Sequence, residues 1–92
     1  MALELHPTFT ELPRERRREE VERGRARYRA QVEVHHAFRD QYTKRQALIE
    51  GTAGPARVHA ITDALLAEEQ TREAHRKLTR LHAELEWMTK HE

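Results

Sequence analysis

The sequence predicts an all-α fold, an antiparallel two-helix hairpin of coiled-coil character that completes a bundle by oligomerisation or docking. Three observations predict it. Helix breakers are sparse and grouped, with Pro7 and Pro13 near the start, Gly51-Thr52-Ala53-Gly54-Pro55 in the middle, and only Gly24 elsewhere. The segments between them are rich in Ala, Arg, Glu, Gln and Leu, the strong helix formers. Apolar residues recur in those segments at alternating spacings of four and three, the period of a helix face.

Each element follows in order. Residues 1–12 read as an extended arm, with Leu3, Leu5, Phe9 and Leu12 set between polar residues. Thr10 can cap the first long helix, with Glu11 favourable to its dipole and Pro13 in its first turn. That helix runs over about 13–50. Gly51 suits a left-handed C-terminal cap, and residues 51–54 form the turn. Pro55 then restarts the chain as a second helix over about 55–90. Each helix is about 50–55 Å long at roughly 1.5 Å per residue. A short connection between two long helices makes them antiparallel neighbours, so 13–92 is one hairpin domain.

The seam is legible. Val21, Tyr28, His35, Tyr42 and Ile49 stand seven residues apart on the first helix, with Gln31, Phe38 and Arg45 between them. The second helix matches with Ala60, Ala64, Ala67, Thr71, Ala74, Leu78, Leu81, Leu85 and Met88. A seven-residue repeat favours a left-handed supercoil. Val58, Ile61, Leu65 and Leu66 are expected to widen the seam near the turn.

Composition excludes several functions. The chain has no Cys, and neither Ser nor Asn occurs, so thiol and serine nucleophiles, disulfides and zinc ribbons are all ruled out. No apolar run approaches the roughly 18–20 residues of a membrane span, the longest being Ala64–Ala67. No basic segment followed by an apolar one opens the chain, so the expected location is cytoplasmic. With 92 residues, 3 Gly and 5% aromatics, an apolar pocket for a small-molecule substrate is not expected, nor is a cofactor. No motif carries a family resemblance.

Four groups of residues are candidates for function. Leu78, Leu81, Leu85, Trp87 and Met88 form the most apolar patch and are the expected partner interface. Trp87 lies off the 78–81–85–88 line, so a single-seam hairpin leaves it exposed. Arg14–Arg29 holds eight Arg (14, 16, 17, 18, 23, 25, 27, 29) and four Glu (15, 19, 20, 22), against a net charge of +1 for the whole chain. Arg14, Arg18, Arg25 and Arg29 share one helix face and are candidate phosphate contacts. Glu–Arg pairing along a solvated helix is the plainer reading of that stretch. His35 lies on the seam, where a buried imidazole fixes register or responds to pH. Glu33-x-x-His36 matches an element of carboxylate di-metal bundles, with Glu69 level with His36. Glu33 and His36 point well away from the seam, however, and no second copy of the motif follows, so no metal site is assigned.

The leading expectation is a non-enzymatic assembly or adaptor protein acting through helix–helix contact, as a homo-oligomer or within a larger protein assembly. A phage or virion component and a small regulatory subunit are settings that fit. The alternative is a nucleic-acid-binding accessory protein using Arg14–Arg29, and a di-metal bundle enzyme is the third reading.

Overall fold

The computed structural model describes residues 6–92, which form three helices and no strand. They are α1 (His6–Glu11), α2 (Arg14–Glu50) and α3 (Pro55–Lys90). The two long helices, of 37 and 36 residues, pack against each other as a hairpin. The molecule measures 62 × 19 × 14 Å, the shape of a rod two helices wide.

The ends of the elements follow from local chemistry. Pro13 stands at the N-cap of α2 without a side-chain cap, and its carbonyl accepts from the Arg17 N–H at 3.0 Å. Thr10 therefore does not cap α2, because it lies inside α1. The Arg17 guanidinium closes this corner instead, donating to the Leu12 carbonyl at 2.8 Å. At the turn, Gly51 has φ −91° and ψ 0°, and its N–H bonds to Leu48 O at 3.2 Å. The left-handed cap expected at Gly51 is thus not formed. Positive φ falls at Gly54 (φ 65°, ψ −146°), the mirror image of an extended residue. The following Pro55 denies helical geometry to the residue before it, and glycine alone adopts this mirrored conformation without strain.

The sequence-derived seam is the one that packs. Val21, Gly24 and Gln31 of α2 and Ala64, Ala67 and Ala74 of α3 are buried. Tyr28, His35, Phe38, Tyr42, Arg45 and Ile49 on α2 are half-buried, as are Ala60, Thr71, Leu78, Leu81, Leu85 and Met88 on α3. The inward positions repeat every seven residues along both helices, as a left-handed coiled coil requires.

Val58, Ile61, Leu65 and Leu66 do not widen that seam. All four are exposed, at 63%, 40%, 61% and 61%. Ala60, Ala64 and Ala67 take the contact with α2, and a helix turns about 100° per residue. Leu65 and Leu66 therefore point away from α2, one to either side of the outer face of α3.

The buried Gln31 spans the seam by donating from Nε2 to the Ala74 carbonyl at 3.0 Å. A polar side chain at an inward position fixes register at some expense of stability. Gln31→Ala is expected to lower stability by about 1–2 kcal/mol. Gln31→Leu should match or exceed the wild type, because the Ala74 carbonyl keeps its helical partner. Urea unfolding of the two variants checks both signs; a loss in both would mean that the hydrogen bond, not the packed volume, is what counts.

Residues 6–11 are helical rather than extended. Phe9 is 5% exposed and packs edge-on against Trp87 at 5.8 Å. The segment thus docks on its own chain. Leu3 and Leu5 of the expected arm lie outside the described residues.

Candidate functional site

The C-terminal apolar stripe finds partners within the chain. A Cβ at Gly24 would stand 2.9 Å from Met88 Cε and 3.3 Å from Leu85 Cδ1, so the bare glycine is the notch into which those two side chains fit. Leu78 and Leu81 are half-buried on the same face of α3. Trp87 is half-buried too, against the expectation for a single-seam hairpin. Phe9 meets its edge, and His91 stacks on it at 3.9 Å with the rings 14° apart. The sequence reading had no second element in this corner, because a six-residue helix has no periodicity long enough to detect.

The Arg-rich stretch is only partly engaged. Arg23 pairs with Glu20 and Arg25 with Glu22, each one turn away on α2. Arg18 reaches Glu92 at 3.9 Å, and Arg17 Nε donates to the Glu92 backbone oxygen at 3.2 Å. Of the four Arg on the candidate phosphate face, Arg18 and Arg25 are thus paired. Arg14 and Arg29 form no ion pair among the described residues. The pairs are exposed, where each contributes at most about 0.5 kcal/mol. They cost little to break, and Arg27 of the same stretch lines a shallow groove with Lys77 of α3.

Glu33 and His36 are both exposed. Glu69 accepts from Arg76, which also holds Glu73. The hydrogen bond from Arg76 keeps the Glu73 carboxyl below the usual range, with the positive charge of Arg76 adding to it. Among the described residues, no group of three or more His, Asp or Glu is placed to hold a metal ion.

His35 sits where the heptad put it. Its ring lies 5.4 Å from that of His75 on α3 and 6.2 Å from that of His36. Burial lowers its pKa from the ordinary 6.5, and His75, Arg39 and His36 lower it further by charge repulsion. His75 was not singled out from the sequence, although it stands four residues before Thr79 on the flank of the seam. Cross-helix register, which pairs 35 with 75, is the signal that finds it.

The side chains that the sequence misplaced make the most open apolar surface. Val58, Ile61 and Leu65 stand at i, i+3 and i+7 along one side of the outer face of α3, and Leu66 stands on its other side, about 100° from Leu65. Leu48 and Val34 are exposed on α2. Shallow grooves of about 250 and 300 Å³ run along the seam, one lined by Gln31, Val34 and Phe38, the other by Arg45, Leu48 and His59. Neither encloses a small molecule. Among the described residues, no helix is long and apolar enough to cross a membrane. No known family model matches the chain, nor does any curated protein or solved structure.

Proposed function

We propose that this chain is a non-enzymatic assembly module, a helical hairpin that pairs with a second copy through the outer face of α3. The exposed stripe of Val58, Ile61, Leu65 and Leu66 is the observation that supports this reading. A helix with an apolar inner seam and a second apolar face is built to contact helices on two sides. The hairpin also needs more burial than it has. Among the described residues, the buried apolar side chains are Phe9, Val21 and three alanines. At about 25 cal/mol per Å², so thin a core struggles against about 1.5 kcal/mol of ordering per residue. Burying a large aliphatic side chain adds about 1.5–3 kcal/mol. A Val58–Ile61–Leu65 stripe paired with its own copy across a two-fold axis buries three such side chains from each chain. The net charge of +1 sets up little repulsion between copies.

Sedimentation equilibrium of the purified chain tests this. The wild type should run as a dimer or a multiple of it, and L65E/L66E should run as a monomer that is helical at low temperature but melts well below the wild type. Salt separates assembly from phosphate binding by Arg14, Arg18, Arg25 and Arg29. Apolar pairing should hold or tighten between about 50 and 200 mM salt, whereas nucleic-acid binding falls steeply over that range. A wild type that is monomeric throughout, or whose excess mass is nucleic acid or a foreign subunit, would overturn the reading.

A further inference from the structure

Midway along the hairpin, an imidazole of each long helix meets the other across the flank of the seam. His35 on α2 and His75 on α3 have ring centroids 5.4 Å apart, with His36 at 6.2 Å from His35. Seven residues along each helix, Tyr28 faces His82 at 5.8 Å in the same relation. There the phenol ring stands where the His35 imidazole stands in the next rung, so only one rung of the pair carries two groups that become cations.

We propose that the His35–His75 pair is an acid-sensitive latch, at which protonation loosens the contact between α2 and α3. The groups facing His35 are His75 from α3 and His36 and Arg39 from its own helix. Every one is a cation or becomes one. No carboxylate pairs with either ring among the described residues. The acids on the neighbouring turns of α3 are occupied, Glu68 by Arg72 and Glu73 by Arg76. A proton on His35 therefore loses hydration and gains no counter-charge. The lowered pKa of His35, from burial first and then from His75, Arg39 and His36, has the same origin. The unfolded chain takes up the proton near pH 6.5, and the hairpin takes it up less readily. The contribution to stability is thus complete above the unfolded value and is lost as pH falls through the folded one. The pair lies within one chain, so the inference is independent of self-association.

Proton NMR of the full chain, titrated through the imidazole range, reads the pair directly. His35 should titrate below 6.5 and move back toward it in His75→Gln. The wild-type melting temperature should fall between about pH 7.5 and 5.5. The fall should shrink in both His75→Gln and His35→Gln, while His59→Gln near the turn keeps it. His75 is exposed, so its substitution leaves the hairpin folded. A His35 midpoint at or above 6.5, or an undiminished fall in His75→Gln, would overturn the latch.

Discussion

Ala67→Leu should destabilise the hairpin by about 2–3 kcal/mol although it adds apolar surface. Ala67 is 2% exposed, one heptad before Ala74 and three residues after Ala64, both also buried. The register that joins Arg45 to Asp63 and His35 to His75 sets it level with Tyr42. The Ala67 methyl is enclosed against α2, and an isobutyl group is several times its volume. It must drive the helices apart, which strips contact from Ala64 and Thr71 as well. The midpoint of thermal unfolding should drop by roughly 10–20 °C. The same substitution one position earlier is already natural, since Leu66 is exposed on the other side of the helix. A rise in stability for Ala67→Leu would show that the seam is loosely packed and has space for larger side chains.

That contrast between 66 and 67 also marks what the sequence could and could not disclose. The heptads at Val21, Tyr28, Gln31 and His35, and at Ala64, Ala67 and Ala74, identified the seam because strict spacing persists over many turns. Helix ends were equally plain at Pro13 and at Gly54-Pro55, where backbone chemistry leaves few choices. Val58, Ile61, Leu65 and Leu66 misled because large apolar residues are normally taken as core. Here the small residues hold the core, and their larger neighbours are exposed. Gly51 misled for a related reason. Two glycines stood in the turn, and only the proline after Gly54 decides which one takes the positive φ. The His35–His75 pair needed the register between helices, which a single helix cannot report.

Trp87→Ala should cost about 2 kcal/mol and should release α1. A six-residue helix cannot persist alone in water, because nucleation is unfavourable and few hydrogen bonds repay it. What holds α1 is tertiary contact. Phe9 is 5% exposed because it lies edge-on to Trp87, and Trp87 is in turn stacked by His91. Removing the indole uncovers Phe9 and opens the space beside Met88. Amide exchange at Phe9–Leu12 should then approach that of an unstructured peptide, and trypsin should cut sooner at Arg14 and Arg16. Phe9→Ala should reproduce the release of α1 with a smaller loss of stability, because the His91 stack survives. In the double variant the losses should fall short of additive by about 0.5–1.5 kcal/mol, the contribution of the aromatic pair itself. Full additivity would mean that α1 is held by its backbone and by Arg17, and that the aromatic contact is incidental. Protected exchange at Phe9 in Trp87→Ala would point the same way. In either case the open end of the hairpin would no longer depend on Trp87, and the exposed stripe of α3 near the turn would be left as the surface that needs a partner.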